Sequence, residues 1–342
     1  MEERKIKKII GTGGIGKGLF FLSREEETLG RNESRMAVLS AAKDYCKLHI
    51  VFHYLGRLLT PGILAYPIGK VGCDENGRSC KEQMKAAGLN VSWVKESPAH
   101  PTMLSICIQY PDKSGGNITA DNSACQEVDA EYLTEAARDI GVGPDTIVAA
   151  LPEVPLEGRL ALLRYGKERG AFCVASCGTA EIKEFVRQKG PEVCDLLALN
   201  QEETAELAGM MKVRDACDAQ EAADRIQKRY PGLNLWLTVG AEGSLLAIGK
   251  KRAVYGPLPG VKVKNTGGAG DASLAGLLAG YCLGLPWQGE VFSGPDARSA
   301  GELATLLGGI SVESEDSINL DITPDSVRRR SREIYALKRK EG

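Results

Sequence analysis

The sequence predicts an α/β fold, a three-layer α/β/α sandwich around a mostly parallel central sheet with a small β lid. Three observations lead there. Short apolar runs rich in Val, Ile and Leu alternate along the chain with amphipathic stretches, the pattern of βαβ units whose sheet is covered by helices on both faces. Neither an internal repeat nor a low-complexity linker interrupts the alternation, so residues 1–342 read as one continuous domain. Two stretches, 20–46 and 101–122, break the rhythm without ending it. Extra strands inserted into an α/β domain often form a lid or a second small sheet, and lid segments are placed near 17–40 and 101–122; a plain surface decoration is the alternative.

Taken in order, strands are expected at 7–10, 63–68, 146–150, 171–176, 196–199 and 235–239. Helical patterns lie between them at 78–87, 131–140, 156–169, 202–210 and 217–229. Residues 101–122 alternate in polarity, pass through a turn cluster at 111–116 and resume as a second short run, which reads as a β-hairpin. A strand-like run ends at Lys264, and the basic tail after it, from residue 328, reads as a solvated terminal helix.

Composition narrows the function classes. Hydrophobic content of 43% and charged content of 26% are ordinary for a globular protein. A net charge of −2 provides no field to draw the chain to nucleic acid or to an anionic membrane, so neither is expected as a partner. Any phosphorylated ligand must be held by local devices. The ten cysteines form no CxxC pair and only three histidines are present, which argues against a zinc site of usual spacing. Cys173 and Cys177 flank a strand and read as small core residues. Many thiols in a long chain suit a reducing compartment. The apolar run after the charged start is too short for a signal segment, and no run approaches the roughly 18 residues of a membrane span. A soluble, cytoplasmic protein is the expectation.

Chemistry concentrates in residues 261–285. Gly267, Gly268, Ala269 and Gly270 lead into Asp271, and a helix of small residues follows. Glycines let the backbone turn sharply and approach a ligand. They also expose N–H groups at the start of a helix, where the dipole favours an anion. A carboxylate in that first turn can take a proton from an attacking hydroxyl while the N–H groups stabilise a transferred phosphoryl group. An ordinary capping Asp after a Gly-rich turn would look the same in isolation.

Residues 265–280 closely resemble the C-terminal signature of the ribokinase-like, or PfkB, kinase family, an Asp-Thr-Thr-Gly-Ala-Gly-Asp run before a small-residue helix. The resemblance implies that Gly268, Ala269 and Gly270 form an anion hole and that Asp271 is the catalytic base. Three weaker motifs follow the family's order. Residues 68–77, IGKVGCDENG, resemble its Gly-x-Val-Gly-x-Asp-x-x-Gly turn. Asn200 and Glu203 match its Asn-x-x-Glu motif, which organises phosphates and Mg2+ largely through water. Thr238, Gly240 and Gly243 match its Thr-x-Gly-x-x-Gly nucleotide loop. The resemblance places ATP along the C-terminal half, with Thr266 beside it and adenine near 238–243 and 299–307.

The match fails at the N-terminal side. Members carry an early Asp and a Gly-Gly pair that grip sugar hydroxyls; here the second region reads Asp44-Tyr45-Cys46-Lys47-Leu48-His49. Candidate substrate residues are therefore Asn32, Glu33, Arg35, Asp44, Lys47 and His49, each of which could equally be a surface or core polar residue. The signature also has Asn265 for its first Asp and Gly267 for its second Thr. In relatives this corner helps bind a monovalent cation, and losing a charge and a hydroxyl weakens an oxygen-ligand site, so cation activation is not expected. Residues 11–16, GTGGIG, fit the G-x-G-x-x-G dinucleotide fingerprint after a strand, but the aromatic run that follows is strand-like, where a helix is required.

The resemblance implies an ATP- and Mg2+-dependent kinase acting on a hydroxyl of a small sugar or sugar derivative, with a homodimer through the lid as an option its relatives raise. A nucleoside or vitamin-like acceptor is the alternative within the fold, and a catalytically silent binding or regulatory protein the alternative outside it.

Overall fold

The computed structural model describes residues 5–112, 115–289 and 292–341. Thirteen strands and ten helices occur among them: β1 Lys8–Thr12, β2 Gly16–Ser23, β3 Ala37–Tyr45, α1 Lys47–Leu59, β4 Leu64–Gly72, α2 Glu75–Ala86, β5 Val94–Ser97, β6 Met103–Gln109, β7 Gly115–Thr119, α3 Ala130–Ile140, β8 Thr146–Ala150, α4 Leu156–Glu168, β9 Phe172–Ser176, α5 Ile182–Arg187, β10 Leu196–Leu199, α6 Gln201–Ala208, α7 Ala216–Arg229, β11 Asn234–Thr238, β12 Ser244–Ile248, β13 Lys251–Tyr255, α8 Ala269–Cys282, α9 Ala300–Ser311 and α10 Pro324–Glu341.

Nine strands form one sheet in the order β13-β12-β11-β10-β9-β8-β1-β4-β5. From β11 to β5 every pairing is parallel, and only the β11–β12–β13 edge is antiparallel. Strand side chains alternate between faces, and here both faces are apolar. Ile9, Ala149, Val174, Leu196 and Trp236 pack toward α1, α2, α8, α9 and α10. Their neighbours Ile10, Val148, Cys173, Leu197 and Leu235 pack toward α3 to α7. Two cores on either side of one sheet are the three layers the sequence predicts.

A second, four-stranded sheet has the order β3-β2-β6-β7. β2 pairs with β6 in parallel, and β6 with β7 as the expected hairpin; Lys113 and Ser114 of its predicted turn lie outside the described residues. The lid is larger than 17–40 and 101–122 suggest, because β3 runs on to Tyr45.

Three further local differences have physical reasons. The helix α1 is not among the expected helices: most of its residues are buried, with Leu48, Val51, Phe52 and Leu55 wholly enclosed between the sheet and α8, so little polar face marks it, and its N-cap Cys46 provides no side-chain cap. The run ending at Lys264 is not a strand: it pairs with no strand among the described residues, and Lys264 N–H bonds instead to the Val312 carbonyl at the end of α9, 2.8 Å away. The glycines of 11–16 carry β1 into lid strand β2, with no helix. A Cβ on Gly11 would stand 2.5 Å from the Phe52 ring, and one on Gly14 2.4 Å from Glu153 Oε2. Those glycines serve close packing, not a dinucleotide.

Candidate active site

The parallel strands all end on one edge of the sheet, where open α/β folds bind ligands. Loops after β8 and β10 rise there, as does the turn into α8. That turn is built for a free backbone. Gly268, the N-cap of α8, takes φ 81°, and a Cβ on it would stand 2.7 Å from the Ser317 carbonyl. The helical ladder begins at Ala272, whose N–H donates to the Gly268 carbonyl at 2.8 Å. Ala269 N–H makes a turn bond to Thr266 at 3.3 Å. The Gly268 and Gly270 N–H groups are left without a protein partner among the described residues, as helix starts dictate. Ser273 Oγ donates to the Gly270 carbonyl at 2.8 Å and accepts from Trp236 Nε1 at 3.0 Å, which braces the turn from the core.

Asp271 stands in that first turn, half-buried. Burial pushes its carboxyl up to about 6; the Lys47 ammonium opposes the rise and Asp44 adds to it. Such a carboxylate is poised as a base near neutral pH. It is not fully enclosed, and charged groups from four other segments share its recess at the sheet edge. Lys47 enters from the start of α1, and its Nζ is 3.9 Å from Glu203 Oε1. Burial would lower the Lys47 pKa, but Asp271, Glu203, Glu153 and Glu181 together raise it. Glu203 is 4% exposed and forms a capping box with Asn200, each side chain accepting the other's backbone N–H at 2.9 Å. Burial raises the Glu203 pKa against the pull of Lys47. Asp44 reaches in from β3, accepting from Cys107 Sγ at 3.3 Å above Gly18.

Glu153 is the residue the sequence reading passes over. It follows β8 with φ 76°, a left-handed backbone that costs a side-chain-bearing residue about 1–3 kcal/mol. Its Oε2 accepts the Lys47 N–H at 3.1 Å, capping α1 where Cys46 cannot. Burial drives its carboxyl up to about 7; Lys47, by charge and by that N–H, draws it down, while Asp271 and Asp44 push it further up. Only its position at the C-terminal end of a central strand could have flagged it in sequence.

The nucleotide-loop candidates lie beside the turn. Thr238 ends β11, and its Oγ1 is 3.9 Å from where a Gly270 Cβ would be. Gly240 and Gly243 take φ 54° and 101°, and a Cβ on Gly243 would strike the Tyr255 carbonyl. Thr266 is exposed at the mouth of the turn. From the lid, the Phe20 ring comes within 3.7 Å of a Cβ on Gly267. Asp44 and Lys47 thus join the recess, whereas the other N-terminal candidates do not. Asn32 and Glu33 are exposed in the β2–β3 loop, where Arg35 binds Glu33, Glu25 and the Glu27 carbonyl. His49 is fully buried against Tyr45, ring centroids 4.7 Å apart.

Comparison with known proteins bears on this arrangement. A family model described as pfkB family carbohydrate kinase matches residues 51–324. Among curated proteins, the Bifunctional protein HldE of Nitrobacter hamburgensis is 22% identical over 271 residues, which cover 75% of this chain and 52% of that protein. That of Trichlorobacter lovleyi is 35% identical over 108 residues, 32% of this chain and 20% of that one. The chain therefore spans about half the length of such relatives or less. Among solved structures, ribokinase from Giardia lamblia superposes with a TM-score of 0.76 at 15% identity over 96% of this chain and 99% of that one. Burkholderia thailandensis nucleoside kinase in complex with inosine gives 0.73 at 17% identity over 96% and 98%. Ribokinase from Cryptococcus neoformans in complex with ADP gives 0.72 at 19% over 95% and 99%. At such identities the likeness carries the fold, which is ribokinase-like.

Proposed function

The chain belongs to the pfkB family of carbohydrate kinases, and from that premise we propose that it transfers the γ-phosphoryl group of ATP to a hydroxyl of a small sugar or sugar derivative. One observation carries the proposal: a half-buried carboxylate, Asp271, stands in the first turn of α8 beside the unpartnered N–H groups of Gly268 and Gly270. Asp271 takes the acceptor hydroxyl's proton as that oxygen bonds to the γ-phosphorus. The bond from phosphorus to the bridging oxygen breaks, and ADP leaves. The N–H groups of the turn and the Lys47 ammonium face the charge that develops on the transferred group. Glu153 and Asp44, with carboxylates on the lid side of the recess, accept hydrogen bonds from other acceptor hydroxyls. Thr238, Gly240, Gly243 and Thr266 line the nucleotide side.

Magnesium carried by the phosphates would neutralise their charge. The donor set favours indirect contact: one Glu203 oxygen caps Asn200 N–H and the other faces Lys47, so Glu203 would hold the ion through water. Phe20 on the inner face of the lid supports exclusion of water when the lid closes. Its flat ring also favours a second reading, a nucleoside acceptor. The single catalytic unit spans 1–342, and a homodimer through the lid is part of the reading, since Leu19, Ile106 and Ile118 form an exposed apolar row across its outer face. Ten free thiols suit a cytoplasmic location.

The test is ADP release from Mg-ATP with D-ribose, D-fructose, other small sugars and inosine, with mass spectrometry of the products. The proposal expects one acceptor to raise ADP release well above hydrolysis by water and to gain a phosphate. Turnover equal to the water background with every acceptor would support the silent, regulatory alternative and overturn it.

A further inference from the structure

One side chain ties the catalytic turn down. Asn265 is 8% exposed, its Oδ1 accepts the Gly267 N–H at 2.8 Å, and its Nδ2 donates to the Glu315 carbonyl at 2.8 Å. The partners fix the orientation of the amide, since an N–H can only donate and a carbonyl can only accept. Backbone bonds from Lys264 and Asn265 N–H to the Val312 carbonyl, 2.8 and 3.3 Å, reinforce the tie. Segment 312–319 also underlies the cradle, with the Ser317 carbonyl against Gly268. The same segment holds lid strand β3. Lys43 N–H donates to Asp316 Oδ1 at 2.7 Å, Ser317 N–H to the Lys43 carbonyl at 3.0 Å, and Tyr45 N–H to Ser317 Oγ at 3.0 Å. Asp44 lies between those two anchored residues.

The resemblance drawn from the signature implies a monovalent cation near this corner, and the residues here do not fit one. An N–H donor lies on the line to the Glu315 carbonyl, where an ion would need an oxygen. The other end of the amide is occupied by Gly267 N–H, and Gly267 has no hydroxyl. We propose that Asn265 is a positioning residue that clamps the 265–271 turn to segment 312–319 through its side-chain amide, so that the phosphate cradle is assembled without a monovalent cation. The inference rests on the reading of that turn as a phosphate cradle.

Two variants test it. Asn265→Asp keeps an oxygen for Gly267 N–H but sets its second oxygen against the Glu315 carbonyl, a pair of acceptors that a potassium ion can bridge. Asn265→Ala removes both bonds. Thermal melts are taken in KCl and in tetramethylammonium chloride at matched ionic strength. Calorimetry measures Mg-AMP-PNP and Mg-ADP binding in the same salts. The wild-type melting temperature and affinities are expected to be the same in both salts. Asn265→Asp should melt several degrees lower in tetramethylammonium and recover most of that loss in KCl. Asn265→Ala should be lowered in both salts and lose about tenfold of its preference for AMP-PNP over ADP, the worth of one buried hydrogen bond near the γ-phosphate. A wild-type protein that gains stability or AMP-PNP affinity from potassium overturns the inference, as does an Asn265→Ala protein with its AMP-PNP preference intact. A wild-type protein that binds neither nucleotide overturns the cradle reading instead, and the salt response of Asn265→Asp then decides the clamp alone.

Discussion

At the scale of residues, the recess is a balance of charge. Asp271, Glu203, Glu153 and Glu181 act on one ammonium, Lys47, while Asp44 acts on Glu153 and Asp271. If Asp271 is the base, it must be deprotonated to act, and the rate should fall as pH drops through about 6. Lys47 holds that pKa down, and Lys47→Met should move the acid limb of the kcat profile to higher pH, by roughly a unit or more; an unmoved limb would separate Lys47 from Asp271. Glu153→Gln keeps an acceptor for the Lys47 N–H and removes only the charge. It should raise the acceptor KM by about tenfold, the loss of one charge-assisted hydrogen bond, with the ATP KM unchanged, as steady-state kinetics would show. Asp271 is legible in sequence because its partners, Gly268 and Gly270, are its chain neighbours. Glu153 is not, because the residues that give it meaning, Gly14 and Lys47, come from the β1–β2 turn and from α1.

At the scale of elements, legibility follows the environment of each segment. Strands β8 and β10 match the expected bounds because both their faces are buried and the whole run is apolar. α1 is hidden by the same property, since burial of most of its residues leaves an apolar run with little polar face to mark a helix. The helix α8 is read only as a small-residue helix and α9 is not read as a helix at all, and the structure says why the first is built of small residues. A Cβ on Gly276 would stand 2.7 Å from the Leu303 carbonyl, and one on Gly280 2.6 Å from Ala300 Cα. Both contacts are backbone, so neither helix can yield by a rotamer change. Gly280→Ala should force the helices apart and cost about 1–3 kcal/mol, the range for overpacked cores, read from urea denaturation. Because α8 begins with the cradle, AMP-PNP binding should weaken in the same variant.

For the whole molecule, parallel connection brings the loops of the candidate site to one edge of the sheet, and the lid reaches that edge through Phe20 and Asp44. This much of the site follows from topology, which alternation in the sequence already announces; the lid's reach to Tyr45 does not, because its strands carry polar residues toward the recess. No helix among the described residues is long and apolar enough to cross a membrane. Burial also sets the response to acid. His49 and His53 are buried with both ring nitrogens unpartnered, and their pKa values fall to about 3 and about 4, by burial first and neighbouring positive charge second. The folded state keeps them neutral while the unfolded chain takes up protons below about 6.5, so their contribution is lost as pH falls from there. The raised carboxyls of Asp271 and Glu153 work the other way between about 4 and 7, where the folded state binds the proton. A histidine replacement isolates the first effect. The stability gap between His49→Phe and the wild type should widen in favour of the variant by about 1.4 kcal/mol per pH unit below 6.5, in urea denaturation at pH 7 and pH 5. A constant gap would mean that His49 charges in the folded state.

The most direct measurement compares Asp271→Asn with the wild type in single-turnover phosphoryl transfer and in Mg-AMP-PNP binding. If Asp271 draws the proton from the acceptor, transfer should slow by roughly two to four orders of magnitude while nucleotide affinity stays within about threefold. Transfer at close to the wild-type rate in that variant would contradict the assignment.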